Sequence, residues 1–454
     1  MKKLLIIATL AAVGMGACSK DDGVSAPEDL RKYVQVTIPE NAASGETRTS
    51  VDGTTTSWVA GDKVAVSLYN GSTTEVCEFT VDRTGTTFSG SVPVGSYTCA
   101  AAHYPFCAAT FDAVNKTFTH TWGDAYCSTD LAAYDFMFST VYETPFVVDE
   151  TTTVLPIALT FRPLMARIGM KLALGANETP KYVTFTTDDN VLPTAGTVNA
   201  DGTFSASALT NTLTVETDRK EFTVGLLPVG VASKMSVHVT TTDGMTYSDK
   251  SFQLAGLKRN THYTMNVPCR TKRFMLTVPD GVNSKYGTGT YKNNEFYSVD
   301  PATDPTGIFK DWYFYRAELK NTTNTARGDK LKGKNRIQLQ VALGGNNSNN
   351  GAFVTAPIQC DGTKTVTVSF TAATNRAISA NYWIGVTDNG PITSDWLRDI
   401  NKISPHAEGL IPRSDNVSHS HTFTVTNGQR IMVKVSNTLG EHHLEFADFT
   451  YTVE

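Results

Sequence analysis

The sequence has few of the features expected of an enzyme, a nucleic-acid-binding protein or a helical membrane protein. Charged residues make up only 18% of the 454 residues and the formal net charge is −5, so no basic surface for nucleic acid is predicted. Neither a Gly-x-Ser-x-Gly nor a His-Glu-x-x-His motif occurs. After the N-terminal segment, no apolar stretch reaches the ~20 residues that a spanning helix needs.

No Cys-x-x-Cys motif is present either, which argues against a zinc or redox site. One of the seven cysteines, Cys18, ends the N-terminal apolar segment, and the others are spread along the chain at Cys77, Cys99, Cys107, Cys127, Cys269 and Cys360. An exported protein is able to form disulfides, and the four cysteines between 77 and 127 allow three pairings. Buried free thiols are an equally good interpretation.

No set of residues has the spacing of a catalytic or metal site, so we predict no enzyme, no cofactor and no metal. His442 and His443 lie beside Glu441 and Glu445, but adjacent residues in a strand point to opposite faces. They are therefore poorly placed to bind one ion. An all-β hydrolase stays a minor alternative, because the separation of paired acids is not visible in a sequence.

The first eighteen residues have the order of a secretory signal. Lys2 and Lys3 form a basic start, residues 4–13 are apolar, and small residues at 16 and 17 lead into Cys18. This order is typical of a bacterial lipoprotein signal, in which the cysteine thiol takes the lipid. The alternative is an ordinary cleaved signal with a chance cysteine. The polar residues 19–22 resemble a signal that sorts lipoproteins to the outer face of the outer membrane.

Short segments with a period of two follow the signal. Val34 and Val36 alternate with polar or exposed-type residues, and the same alternation recurs at residues 63–68, 222–226, 235–239, 366–370 and 431–435. Such alternation gives a strand one apolar and one polar face. Asx-Gly pairs at 52–53, 70–71, 201–202, 361–362 and 427–428 are turn signals between the strands. We therefore predict an all-β protein, with a single short helix at residues 394–400.

The length of the chain and the changes in amino-acid composition along it predict several structural units. We expect a signal peptide at residues 1–18, a tether at 19–30, and β-sandwich units at 31–150 and 151–268. Residues 268–273 are predicted to form a basic linker, and a third unit with a jelly-roll sandwich fold is expected at 274–454.

Three segments carry a resemblance to known proteins: a Thr-Arg pair at 47–48 followed by Trp58 and Gly-Asp at 61–62 before a strand, residues 161–172, and residues 254–267. They resemble the fimbrillin family, the pilin-like lipoproteins of the type V pilus. The resemblance implies two tandem transthyretin-like β-sandwich domains. It also implies that a trypsin-like protease cuts after an arginine and removes the first strand, and that a neighbouring pilin subunit donates a replacement strand.

Arg48 and Arg31 are the candidate cleavage sites. A cut after Arg48 would free the strand at residues 33–38, whereas a cut after Arg31 would leave that strand in place. The alternative is that both arginines are solvated surface residues and that no cut occurs. The third unit departs from a two-domain stalk pilin, which favours a tip or accessory role in adhesion.

Aromatic residues of the third unit are candidates for binding a glycan, since sugars stack their C–H faces on aromatic rings. The candidates are Trp312, Tyr313, Trp383 and Trp396, with amides and carboxylates at 346–350 and 388–389 as hydrogen-bonding groups. Trp312 and Trp383 lie in strand-like runs, so a place in the core is the alternative for them. The leading prediction is an adhesive pilus subunit on the outer membrane that binds a glycan or protein on another cell. The second is a monomeric outer-membrane lipoprotein that captures glycans for uptake.

Overall fold

The computed structural model describes most of the chain after the signal and tether. The described residues are 30–37, 58–254, 256–279, 296–297, 304, 307–323, 330–341, 350–374, 379–388, 390–412, 416–436 and 443–454. Cys18 and Arg48 lie outside them. The predicted all-β fold class is confirmed, because nearly all regular elements of the described residues are strands, paired mainly in antiparallel sheets.

The first unit is built on a seven-stranded sheet of order β1-β4-β3-β2-β6-β9-β11, with a two-stranded sheet of β10 and β5 beside it. Its elements are β1 (Arg31–Thr37), β2 (Lys63–Tyr69), β3 (Thr74–Val81), β4 (Thr87–Pro93), β5 (Gly95–Tyr97), β6 (Cys99–Tyr104), β7 (Thr110–Asp112), β8 (Thr117–Thr121), α1 (Leu131–Tyr134), β9 (Met137–Ser139), β10 (Phe146–Val148) and β11 (Phe161–Pro163).

The core of this unit follows from the alternation of its strands. Val64, Val66 and Leu68 of β2 are fully buried, as the period of two predicts. Trp58 packs edge-on against the rings of Phe88, Tyr104 and Phe161, with ring centroids 5.0–5.4 Å apart. The Trp58 ring thus joins β4, β6 and β11 in one cluster.

The second unit pairs a three-stranded sheet, β17-β12-β20, with part of a longer sheet that begins β16-β13-β18-β19. Its strands are β12 (Ala166–Leu172), β13 (Pro180–Thr187), β14 (Leu192–Asn199), β15 (Phe204–Thr210), β16 (Thr212–Glu216), β17 (Glu221–Leu226), β18 (Ser233–Thr241), β19 (Thr246–Leu254) and β20 (His262–Val267). β12 and β20 are parallel, whereas the other pairs of this unit are antiparallel.

The third unit is a sandwich of two sheets around an aromatic core. Its elements are β21 (Lys272–Met275), β22 (Phe296–Tyr297), β23 (Tyr313–Tyr315), β24 (Ala317–Lys320), β25 (Arg336–Gln340), β26 (Ala352–Val354), β27 (Thr363–Thr374), β28 (Ala380–Thr387), α2 (Ser394–Arg398), a 3-10 turn (Ile400–Lys402), β29 (His406–Ile411), β30 (Val417–Thr426), β31 (Arg430–Val435) and β32 (His443–Val453). The sheet β22-β23-β26-β31-β28-β29 faces the sheet that contains β32. The helix predicted at 394–400 is observed as α2 and the 3-10 turn.

Two strand pairings join the units. The β7–β8 hairpin of the first unit continues into β14 and β15 of the second. β21 pairs with β19 of the second unit and with β32 of the third, so one sheet runs through both. Lys272 and Arg273, which the sequence places in a linker, therefore belong to a strand. A basic residue is able to lie in this buried strand because its charge is neutralised by acids of the second unit.

The boundary between the first and second units lies after residue 150. Leu155, Ile157, Leu159 and Phe161 are buried in the core of the first unit, which also contains Val34 and Val36. The second core begins with Leu164 and also takes in residues of the first unit, such as Phe118 and Phe138. The seam predicted at 150 thus falls before a segment that the first core uses.

The thiols of Cys77, Cys99, Cys107, Cys127 and Cys360 are free in this structure. Burial raises the pKa of the thiol of each of these residues, and for Cys127 it is the only cause. The sequence left disulfides and buried free thiols open, and in the structure these five thiols are free, four of them buried and Cys107 partly exposed. Within the described ranges, no helix has the length and hydropathy needed to cross a bilayer.

Candidate functional site

The first candidate site is the edge of the first unit, which β1 occupies. β1 lies at the end of the seven-stranded sheet and pairs in full antiparallel register with β4, from Arg31 opposite Pro93 to Thr37 opposite Thr87. The pair is extended by a hydrogen bond of 2.7 Å from the amide of Val94 to the carbonyl of Leu30. β1 is therefore the last strand of its sheet, and along the chain it is connected to the rest of the first unit only through the segment 38–57.

The inner face of β1 is apolar and the outer face is exposed. Val34 and Val36 are fully buried against the core that contains Phe79 and Phe88, whereas the ring of Tyr33 is 70% exposed. Burial of a valine side chain contributes about 1.5–3 kcal/mol. Two valines and one ladder of backbone bonds thus hold the strand in place.

The outer edge of β1 is partly covered. The amide of Gln35 donates to the carbonyl of Thr153 at 3.0 Å, and the amide of Leu155 donates back to the carbonyl of Gln35 at 2.8 Å. A strand in this position therefore lies in a slot between β4 and the segment that contains Thr153 and Leu155. Without β1, the slot would present the unpaired backbone groups of both walls.

The two candidate cleavage sites differ in position. Arg31 is the first residue of β1, where its guanidinium donates to the carbonyl of Ser91 at 2.9 Å. A cut after Arg31 would leave residues 32–37 paired with β4. Arg48 lies outside the described residues, in the segment between β1 and Trp58, and it is the only lysine or arginine between Lys32 and Lys63.

The second candidate site is a cluster of four aromatic rings on the outer side of one sheet of the third unit, which we call the aromatic face: the partly buried Tyr313, Trp383 and Trp396, with the buried Tyr315 among them. The rings of Tyr313, Trp383 and Trp396 are partly buried and pack with Tyr315 and Met432 on the outer side of the sheet β23-β26-β31-β28. The sequence predicted three of these four residues, and the structure brings those three together.

Helix α2 brings Trp396 to this face. The side chain of Thr393 caps the helix by accepting a hydrogen bond of 3.2 Å from the amide of Trp396. Leu397 is fully buried beneath the helix and fixes its orientation. Trp383 comes from β28, where alternation turns Tyr382 into the core and Trp383 outward.

Trp312 does not belong to this site, and its assignment as a glycan-binding residue is corrected here. Its side chain is fully buried in the third core, stacked at 5.9 Å on Phe353 and tilted against Phe274 at 5.0 Å. A ring enclosed by other rings has no face for a sugar. The run 312–315 alternates, so that Trp312 and Phe314 face the core and Tyr313 faces outward.

Charged residues that the sequence analysis missed flank Trp383. In the sheet register Trp383 lies between Lys434 of β31 and Glu408 of β29. The Nζ atom of Lys434 is buried and donates to the carbonyl of Leu397 at 3.3 Å, and burial lowers its pKa to about 8. Glu408 is exposed and accepts a hydrogen bond of 3.0 Å from Ser436. Alternation in β29 is the signal that would have placed Glu408 on this face.

The polar residues predicted to assist the rings are only partly described. The side chain of Asn350 is buried and donates to the carbonyl of Ser436 at 3.0 Å, so it has a structural role. Asp388 accepts a hydrogen bond of 3.2 Å from Gln429. Residues 346–349 and 389 lie outside the described part. The aromatic face thus offers two tryptophan rings, one exposed carboxylate and one buried amine.

Neither site contains a catalytic constellation. Glu445, two residues after His443, is fully buried and accepts hydrogen bonds from the amides of Lys330 and Leu331 at 3.0 and 2.8 Å. Among the described residues there is no group of three or more His, Cys, Asp or Glu side chains that could hold a metal ion.

Comparison with known proteins identifies a family. The model of the fimbrillin-like family matches residues 47–281, just over half of the chain. No curated protein sequence matches the chain.

Solved structures that match part of the chain include proposed cell adhesion proteins from two Bacteroides species. The one from Bacteroides uniformis is 17% identical with a TM-score of 0.35, and the match covers 53% of this chain and 93% of that one. The one from Bacteroides ovatus is 16% identical with a TM-score of 0.33, covering 52% and 92%. A xylan-binding domain from Paenibacillus barcinonensis is 12% identical with a TM-score of 0.22, covering 32% and 86%.

Proposed function

Because this chain belongs to the fimbrillin-like family, we propose that it is a cell-adhesion subunit of a pilus, anchored as a precursor to the outer membrane through lipid on Cys18. Proteolysis after Arg48 releases β1, and a strand from another subunit takes its place. The third unit is the part of the subunit that contacts the other cell, by binding a glycan or a protein there.

The observation that carries this proposal is the position of β1 in a slot at the edge of its sheet. Its inner face consists of alternating apolar residues, Val34 and Val36, and its backbone pairs with β4 on one side and with Thr153 and Leu155 on the other. An incoming strand with the same alternation would restore both sets of backbone bonds and refill the same pockets. The slot therefore suits exchange of one strand for another.

The proposed cut depends on Arg48 because of its place in the chain. A trypsin-like protease that reaches the segment 38–57 finds a single basic residue there. Cleavage after it separates β1 from Trp58 and the remainder of the first unit. β1 is then held only by non-covalent contacts, so a competing strand is able to displace it.

The last strand of the chain favours a terminal place in the pilus. β32 is an inner strand: residues 450–453 pair with β21 on one side and β27 on the other, and residues 443–447 pair with β25 and β27. Leu444, Phe446 and Tyr451 are buried in the third core. A strand in this position is not available for donation to a neighbour. We infer that the subunit accepts a strand but does not supply β32, as a tip subunit would.

Limited trypsin digestion of the chain that starts after Cys18 tests the acceptor role. We expect a large fragment that begins at Thr49 and that loses the piece containing β1 on size-exclusion chromatography. The probe is a labelled peptide with the sequence of residues 30–40, which we expect to bind the trimmed protein and not the precursor. Arg48→Gln is the matched control, since it should block both the new N-terminus and the peptide binding.

A second peptide distinguishes strand exchange from nonspecific peptide binding. In it the residues that correspond to Val34 and Val36 are aspartate, which removes the apolar face and keeps the length. Equal binding of the two peptides, or a trimmed protein that never releases β1, would rule out the proposed exchange. Self-assembly of trimmed protein into SDS-resistant ladders would show a donor strand within this chain and would contradict the tip role.

The second candidate function is capture of glycans by a monomeric lipoprotein, and the aromatic face favours it. Trp383 and Trp396 lie in one cluster with the exposed carboxylate of Glu408 in the same sheet row as Trp383. A glycan array probed with untrimmed protein tests this function. Loss of binding in Trp383→Ala and Trp396→Ala, but not in Phe106→Ala, which is 42% exposed on the first unit, is the expected result. If no glycan on the array bound the protein, glycan capture by the aromatic face would be ruled out.

A further inference from the structure

A buried cluster of three ionisable side chains lies where the second unit joins the third. We call it the junction triad: Lys272, Asp243 and Glu178. The Nζ atom of Lys272 is 2.8 Å from Oε1 of Glu178 and 3.0 Å from Oδ2 of Asp243. The side chains of Lys272, Glu178 and Asp243 are 1%, 6% and 3% exposed. All three groups are therefore almost completely removed from solvent.

The triad is unbalanced in charge and is buried beside aromatic rings. One ammonium faces two carboxylates, and among the described residues no other cation lies within ion-pair distance of either acid. Tyr247 and Val453 flank Lys272 in the sheet register, and the buried rings of Phe274 and Tyr451 stack at 4.9 Å nearby. Charges in such surroundings are costly, so a reaction that removes two of them is favoured.

Hydrogen bonds fix both carboxylates in orientation. Oδ1 of Asp243 accepts from the hydroxyl of Thr241 at 2.5 Å and from the amide of Met245 at 3.2 Å. Oδ2 of Asp243 is the oxygen that faces Lys272. Oε1 of Glu178 accepts from the hydroxyl of Tyr247 at 2.6 Å as well as from Lys272. The lysine also donates to the carbonyl of Gln359, so its position is fixed as well.

We propose that Lys272 and Asp243 condense to an intramolecular amide, an isopeptide bond, with Glu178 as the proton carrier. Glu178 takes a proton from the ammonium and passes it to Oδ2 of Asp243, which leaves a neutral amine beside a neutral carboxylic acid. The amine nitrogen attacks Cγ, and the negative charge that develops on Oδ1 is stabilised by the hydroxyl of Thr241 and the amide of Met245.

The step balances without any further reactant. The bond from Nζ to Cγ forms and the bond from Cγ to Oδ2 breaks. A second proton leaves the nitrogen through Glu178 and joins Oδ2, which departs as water. The ammonium and the carboxylate thus become one amide and one water molecule, Glu178 returns to its starting state, and nothing is oxidised or reduced.

The bond would reinforce a weak point of the fold. β21 pairs with β19 through only two residue pairs, Arg273 with Thr246 and Lys272 with Tyr247. Asp243 lies in the turn between β18 and β19, so the amide would tie the strand that enters the third unit to the second unit by a covalent link. Such a link resists separation of the two units under force, whether or not the protein is a pilus subunit.

Intact-mass measurement of the purified, acid-denatured chain tests the proposal. We expect the wild-type protein to be lighter than its sequence by one water molecule. Digestion should yield a branched peptide that joins the segments with Asp243 and Lys272. Lys272→Arg keeps the positive charge but has no reactive amine, so it should have the full sequence mass. Glu178→Gln should slow the loss of water by about 100-fold or more, because it lacks the proton carrier.

The buried pair of Arg167 and Asp135, 2.8 Å apart, is an internal control, since a guanidinium does not condense with a carboxylate. A wild-type chain at its full sequence mass would overturn the proposal and leave the triad as an ion pair. A water loss that maps to peptides other than those with Asp243 and Lys272, or that persists unchanged in Lys272→Arg, would overturn it equally. The wild-type mass and its peptide map do not depend on whether the Glu178→Gln variant folds.

Discussion

Strand β12 makes two ion pairs, one buried and one exposed to solvent. Nη2 of Arg167 lies 2.8 Å from Oδ2 of Asp135, and the two side chains are 9% and 0% exposed. Nζ of Lys171 lies 2.8 Å from Oε1 of Glu221, with side chains 65% and 67% exposed. The first pair also connects β12 to the loop after α1, so it links the second unit to the first.

Removing one partner should therefore have very different effects in the two pairs. Asp135→Ala leaves an uncompensated buried guanidinium, and we expect it to lower the free energy of unfolding by about 3–5 kcal/mol. Glu221→Ala should change it by less than about 1 kcal/mol, since the exposed pair is screened by water. Urea denaturation followed by tryptophan fluorescence measures both. Equal effects would mean that burial does not govern these pairs.

His103 is a buried residue whose ionisation couples stability to pH. Its ring stacks on Phe136 at a centroid distance of 5.6 Å, and Nε2 lies 3.3 Å from the carbonyl of Cys107. Burial lowers the pKa of His103 to about 4, against a hydrogen bond to Cys107 that acts in the other direction. The unfolded ring titrates near 6.5, so between these two values the unfolded chain binds a proton that the folded chain does not.

Stability should accordingly fall as the pH decreases from 7 towards 4. At pH 5 the contribution of His103 amounts to about 2 kcal/mol of lost stability relative to pH 7. His103→Gln should reduce the difference between urea midpoints at pH 7 and pH 5. Because burial also lowers the pKa of His419 and His421 in the third unit, the comparison must be the variant against the wild type. An unchanged difference in the variant would contradict the assignment to His103.

At the level of strands, alternation was a reliable guide. The segments predicted from residues 34–36, 63–68, 222–226, 235–239, 366–370 and 431–435 all lie in strands, namely β1, β2, β17, β18, β27 and β31. A period of two is a local property, and it located each strand because at least one face of each lies on a core; the prediction that the other face meets water fails for β2 and β31, whose two faces are both buried. β21 shows the limit of the method, since the charges of Lys272 and Arg273 hid a strand.

The same alternation predicts which residues hold β1 in its slot. Val34→Ala and Val36→Ala each remove two methyl groups from a fully buried position, and we expect each to cost about 1–3 kcal/mol. Faster hydrogen exchange at the β1 amides of the uncut precursor, followed by mass spectrometry, is the measurement.

The control for this prediction lies on the same strand. Tyr33→Ala alters an exposed side chain and should leave exchange at the β1 amides nearly unchanged. If Tyr33→Ala loosened β1 as much as Val34→Ala, the strand would not be held by its apolar face.

For the whole molecule, the last strand determines the integrity of the third unit. β32 has neighbours on both edges along its length and carries buried side chains into the core, among them Phe446 and Phe449. Strands from opposite ends of the unit, β21 and β32, are adjacent in the sheet. The third unit is therefore closed only when the end of the chain is in place.

Deletion of residues 443–454 should abolish the third core. We expect limited proteolysis of the truncated chain to leave a resistant fragment with the first and second units and to degrade the rest. Phe446→Ala should weaken the third unit by about 3–5 kcal/mol, whereas Thr452→Ala, on the partly exposed face of the same strand, should have little effect. A truncated chain with an intact third unit would show that β32 is dispensable and hence free to be donated.

Local sequence patterns were enough to predict the all-β class, the outward and inward faces of β1, and the short helix that carries Trp396. These follow from neighbouring residues, because alternation and capping are properties of adjacent positions. Three features are visible only in the folded chain: Trp312 is enclosed by rings, the β7–β8 hairpin continues into the second unit, and Lys272 contacts Asp243 and Glu178. Those outcomes depend on which distant strands pair, and pairing is set by the packing of whole sheets rather than by any local pattern.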